Sequence, residues 1–168
     1  MLDAAFLETI ATYCTQLERL IIRSPDTDDI TPDQFMTFLQ SFPTLRCLEL
    51  DYIKDNIMVR VFGWERKFIS QLEELSWIEL GDSRTDPILR NKFLENCASF
   101  RKLHLNRGAT LSADTIIRLM SCPLLEILDI EGWLPDVDQL QQRFGGGNPV
   151  IRPFPSIKDL SLSGEAST

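Results

Sequence analysis

Phe42-Pro43-Thr44-Leu45-Arg46-Cys47-Leu48-Glu49-Leu50 sets an apolar residue three places before a leucine, then runs apolar-x-x-apolar-x-apolar. The same phrase stands upstream at Cys14-Thr15-Gln16-Leu17-Glu18-Arg19-Leu20-Ile21-Ile22. Downstream it returns four times, over Ile69 to Trp77, Cys97 to Leu105, Cys122 to Ile130 and Phe154 to Leu162. The first anchors fall at 17, 45, 72, 100, 125 and 157, so successive copies are offset by 28, 27, 28, 25 and 32 residues. Chance Leu-x-x-Leu pairs in a leucine-rich helix would not keep one register with an upstream apolar partner each time.

An offset averaging 28 residues lies in the range of leucine-rich repeats, about 20–29. In such a repeat the last two apolar anchors alternate along a short strand and point inward, while the residues between them point outward. The rest of each copy returns over the far side, and at this length the return is a helix. Thr31-Pro32-Asp33-Gln34 reads as a capping box with proline at the first helical position. Phe35, Phe38, Leu39 and Phe42 follow at i, i+3, i+4 and i+7, one buried helical stripe. Further helices are expected after Asp86-Pro87, after Ser112 and after Pro135, and over 57–68, where Gly63 weakens the pattern. The predicted architecture is α/β: a right-handed leucine-rich-repeat solenoid, a ribonuclease-inhibitor-like horseshoe. It has about six strand–helix repeats of ~28 residues and a parallel concave sheet.

The chain has 168 residues, 43% hydrophobic and 25% charged, the composition of a folded protein in a single domain over 1–168. The formal net charge is −8, against a nucleic-acid partner, because phosphate contacts need a surplus of Lys and Arg. No apolar run approaches the roughly 20 residues of a membrane span. The first residues carry acids where a signal peptide would be basic, so the expected setting is cytoplasmic or nuclear, with no membrane. Gly145-Gly146-Gly147-Asn148-Pro149 lacks the Lys-Ser/Thr that ends a phosphate-binding loop, and 145–149 reads as a flexible loop that lengthens the last step.

The Cys-x-x-Leu-x-x-Leu-x-Leu phrase, with Ile30-Thr31-Pro32-Asp33 or Leu111-Ser112-Ala113-Asp114 downstream, resembles the cysteine-containing leucine-rich repeats of F-box/leucine-rich-repeat proteins, especially fungal ones. The resemblance spans about Leu2 to Leu162 and implies a substrate-recognition region like those of ubiquitin-ligase adaptors. Two departures qualify it. The ninth consensus position, usually Asn or Cys, holds Pro25, Ile53, Leu80, Gly108, Trp133 and Glu165, so no Asn ladder is expected. The F-box is not present in these residues, so ligation is implied only for a longer parent of which this is a segment. The alternative is a regulatory leucine-rich-repeat protein acting on a small GTPase or another signalling partner.

No catalysis, cofactor or metal is expected. Cys14, Cys97 and Cys122 share one repeat position with Phe42, Ile69 and Phe154, which makes it an apolar slot rather than a ligand set. Cys47 lies outside that slot, and no Cys-x-x-Cys occurs. Asp26 to Asp29 lacks the Gly and Glu of a calcium loop and reads as a solvated turn. His104 is the sole histidine; a catalytic reading would pair it with Asp129, but no Ser or Cys nucleophile can be assigned beside it.

Alternation assigns the concave face. It carries Arg19, Ile21 and Arg23; Cys47, Glu49 and Asp51; Glu74, Ser76 and Ile78; Lys102, His104 and Asn106; Ile127, Asp129 and Glu131; and Asp159, Ser161 and Ser163. Acids outnumber bases, so the expected partner is a protein with a basic or mixed-charge surface. Trp133 and Leu134 follow strand five and either pack over the edge or, where exposed, form an aromatic anchor for a partner. Neither terminal repeat carries an obvious polar cap, and end-to-end self-association is expected.

Overall fold

The computed structural model describes residues 3–23, 29–53, 57, 66–78, 97–106, 118–119, 121–131 and 156–163. Six strands form one sheet: β1 (Arg19–Arg23), β2 (Cys47–Asp51), β3 (Glu74–Ile78), β4 (Lys102–Asn106), β5 (Ile127–Glu131) and β6 (Asp159–Ser163). Their order in the sheet is their order in the chain, every pair is parallel, and β1 and β6 are the two edges. Paired residues such as Arg19 with Cys47, Cys47 with Glu74 and Ile127 with Asp159 are separated by the same steps as the sequence anchors. The apolar phrase therefore fixes the strand register, because a one-residue slip would turn its leucines to the other face.

Burial follows that alternation. Leu48, Leu50, Leu75, Trp77, Leu103, Leu105, Leu128 and Ile130 lie in the core, with Leu45, Leu72, Phe100 and Leu125, the anchors just before the strands. At the edges the same rows open: Leu17, Leu20 and Ile157 are half-buried and Leu160 is 42% exposed. A strand between two neighbours has both flanks of its leucines covered; an edge strand has one.

Helix α1 (Ala4–Tyr13) is N-capped by Asp3, whose carboxylate accepts from the Phe6 N–H. Helix α2 (Pro32–Gln40) starts with the expected capping box. The Gln34 N–H donates to Thr31 Oγ1 at 3.2 Å, and the Thr31 N–H donates to Gln34 Oε1 at 2.9 Å. The α2 stripe is buried through Phe35, Phe38, Leu39 and Phe42, with Phe38 and Phe42 edge to face at 5.0 Å. Further helical pieces are a turn at Arg66–Ile69 and a 3₁₀ turn at Cys97–Ser99.

Some expectations change in contact with the structure. In the shared cysteine slot Cys122 is buried, as are Phe42 and Ile69, but Cys14 is only half-buried because it lies in the repeat that leads into edge strand β1. On α1, Leu7 is buried while Phe6 is 51% exposed, so one of the apolar positions faces solvent. At the ninth position, Ile53 is fully buried, and the turn before it puts Tyr52 at φ 61°. Most residues of the expected helices after Asp86, Ser112 and Pro135, the 145–149 loop, and Trp133 and Leu134 lie outside the described residues.

Candidate interaction face

The first, third and fifth residues of each strand occupy the side opposite the core, and the parallel register lines them into rows. Arg19, Arg23, Glu49, Asp51, Glu74, Lys102, His104, Asp129, Glu131 and Asp159 all fall in these rows, and Asn106 holds the equivalent register position beside Glu131.

On β1 to β4 the cations are engaged. Arg23 bonds Glu49 and reaches Asp51 through Nε at 3.1 Å. Arg19 sits 3.6 Å from Glu49 and 3.7 Å from Glu74, and Lys102 Nζ donates to Glu74 Oε1 at 2.6 Å. The Lys102 hydrogen bond is the main reason the Glu74 carboxyl lies below its usual range. Asp51 moves the other way. Its side chain is 8% exposed, and burial, reinforced by Glu49, raises it despite the opposing pull of Arg23 and His104. Cys47 donates its thiol to Glu74 at 3.5 Å, and burial pushes that thiol up, away from nucleophilic thiolate character.

On β5 and β6 the balance differs. His104 Nδ1 lies 2.7 Å from Asp129 Oδ2. Glu131 and Asp159 form no ion pair with a Lys or Arg among the described residues, and Asp129 meets only the histidine. Asp51 Oδ1 and Asp129 Oδ1 are buried with no hydrogen-bond partner among the described residues.

The register also sets Ser76 directly beside His104, a neighbour that alternation within single strands does not reveal. Ser76, His104 and Asp129 share one row in nucleophile–base–acid order, over a hollow of about 190 Å³ that Glu49, Glu74 and Lys102 also line. No hydrogen bond joins Ser76 to His104 among the described residues, so the first link of a triad is not made. Among the described residues no cluster of three His, Cys, Asp or Glu could hold a metal ion, and no helix is long and apolar enough to cross a membrane.

A second charged row was legible in the sequence and overlooked. The residue before each strand is in turn Glu18, Arg46, Glu73, Arg101, Glu126 and Lys158, an alternation of sign. Arg46 pairs with Glu73, Arg101 Nη1 lies 3.2 Å from Glu126, and Lys158 Nζ lies 3.0 Å from Glu126. Their backbones act together too: each carbonyl from Glu18 to Glu126 accepts two N–H groups from the next strand, as when Glu18 receives Arg46 at 2.9 Å and Cys47 at 3.0 Å.

Comparison of the chain with family models, with curated proteins and with solved structures returns no match.

Proposed function

We propose that the chain is a non-catalytic protein-binding module. In this reading it is a leucine-rich-repeat solenoid that serves as a substrate-recognition region similar to that of F-box ubiquitin-ligase adaptors. The solenoid reading is supported by the sequential parallel strand order and by registers equal to the repeat steps. The binding reading rests on one observation: the outward rows keep three acids, Asp129, Glu131 and Asp159, without a Lys or Arg partner among the described residues, while the cations of β1 to β4 are already paired. An unbalanced acidic strip on an ordered sheet attracts a basic or mixed-charge protein surface and steers its approach.

The test is affinity capture from lysate with wild type and with an Asp129→Asn, Glu131→Gln variant. Proteins bound to wild type and released by salt are expected to be lost from the variant and kept by Arg46→Gln, whose charge lies off this face. The same protein set on all three baits would remove the strip from the binding reading. Ubiquitin-ligase membership has its own readout: recovery of ligase scaffold subunits when the parent open reading frame is used as bait.

A further inference from the structure

Two rows of this six-stranded sheet carry charge patterns whose periods divide the strand number. The row before the strands reads minus, plus, minus, plus, minus, plus from Glu18 to Lys158. The first row within the strands is Arg19, Cys47, Glu74, Lys102, Ile127 and Asp159, which reads plus, neutral, minus, plus, neutral, minus. Each pattern ends at β6 on the sign that its start at β1 would follow.

We propose that the chain self-associates head to tail, with β6 of one copy pairing parallel to β1 of the next so that Lys158 and Asp159 meet Glu18 and Arg19. Three observations converge on that junction. Glu18 and Asp159 are the acids of these two rows that form no ion pair among the described residues, and each would face a cation across the junction. The Lys158 carbonyl and the Glu18 N–H bond no other described residue. The paired N–H acceptance that runs from Glu18 to Glu126 would therefore extend by one step, Lys158 accepting from Glu18 and Arg19 of the next copy.

The apolar rows open at these same edges. Leu20 and Leu17 are half-buried at β1, where Ile22 stays buried, and Ile157 is half-buried and Leu160 42% exposed at β6, while the interior equivalents of these four are buried. Strand addition would cover both sets. An unpaired strand edge is a ready template for another strand, and a pairing between different edges propagates instead of closing as a two-fold dimer.

Sedimentation of the 168-residue chain over a wide concentration series at low salt tests this. The expected result is a mass that rises above 19.3 kDa with concentration and falls back when salt is added. Glu18→Lys and Lys158→Glu each place like charges at the junction and are expected to leave monomers, with circular dichroism unchanged because both side chains are exposed. Mixed in equal amounts, the two variants present opposite charges at every junction and assembly is expected to return. The neutral variants Glu18→Gln and Lys158→Gln serve if a reversal unfolds, each raising the half-assembly concentration by about two- to fivefold. A wild-type monomer at all concentrations, assemblies that survive both reversals, or a mixture that stays monomeric would each overturn the proposal. The variants leave Asp129 and Glu131, the residues changed in the capture test, untouched, so failure of the junction is distinguishable from failure of the binding reading; Asp159 is the one acid the two share.

Discussion

Asp51 and Glu74 stand on adjacent strands of one sheet face, yet their carboxyls shift in opposite directions because one is dominated by burial and the other by a lysine hydrogen bond. The raised Asp51 favours the folded state fully below its unfolded value of 3.8, a benefit lost as pH rises through the folded value. The lowered Glu74 favours the folded state above 4.5, and that benefit is lost as pH falls through its folded value. Acidification therefore acts on the two in opposite senses: protonating Asp51 adds to stability and protonating Glu74 takes from it. Urea midpoints against pH are expected to show Asp51→Asn removing a stabilising rise on acidification and Glu74→Gln removing a fall. Curves parallel to wild type for both variants would contradict the two assignments. Inward residues answer differently. Leu103 and Leu128 are buried at 1% and 0% exposure, and either change to Ala is expected to cost about 2–5 kcal/mol, whereas exposed Lys102→Ala stays within about 0.5 kcal/mol. Equal losses in urea melts would mean that the two faces are exchanged.

Among the elements, the strands and α2 were readable in advance and the turns were not. Strand positions follow from apolar alternation at a fixed offset, and α2 from a capping box ahead of a helical stripe, both local patterns with one physical solution. The turn after β2 has no such signature. Ile53 is buried there, and Tyr52 before it stands at φ 61°, a left-handed conformation that a bulky residue enters only against its own Cβ. The site was half legible for a related reason: alternation placed each side chain on its face, but the Ser76–His104–Asp129 row and the Glu18 to Lys158 ladder emerge only when the strands are aligned side by side. Tyr52→Gly removes about 1–2 kcal/mol of backbone strain and adds about 0.5–1 kcal/mol of unfolded-state freedom. The expected outcome is a net gain of up to about 1.5 kcal/mol, read as a higher urea midpoint with unchanged slope. A loss larger than that freedom would show that the half-exposed ring contributes packing at this turn.

At the scale of the whole sheet, each strand pairs only with its sequence neighbours, so cohesion along the sheet is built from contacts between adjacent strands. The apolar rows supply most of each such contact, and the alternating ladder adds a charge term that depends on position along the array. Arg101 is the most connected of its cations, with Glu73 at 3.9 Å on one side and Glu126 at 3.2 Å on the other, whereas Lys158 at the edge meets Glu126 alone. Exposed pairs contribute about 0.2–1 kcal/mol each, and like charges set side by side on neighbouring strands cost a similar amount. Arg101→Glu would line up three acids and is expected to destabilise by about 1–2 kcal/mol, about twice the effect of Lys158→Glu at concentrations where the chain is dilute. Because all these side chains are solvated, about 1 M salt shortens the screening length to about 3 Å and should erase most of the difference. Urea melts of the two variants at low and high salt decide it. Equal costs at the centre and the edge, or costs indifferent to salt, would make the alternation incidental and leave the apolar rows alone to hold neighbouring repeats together.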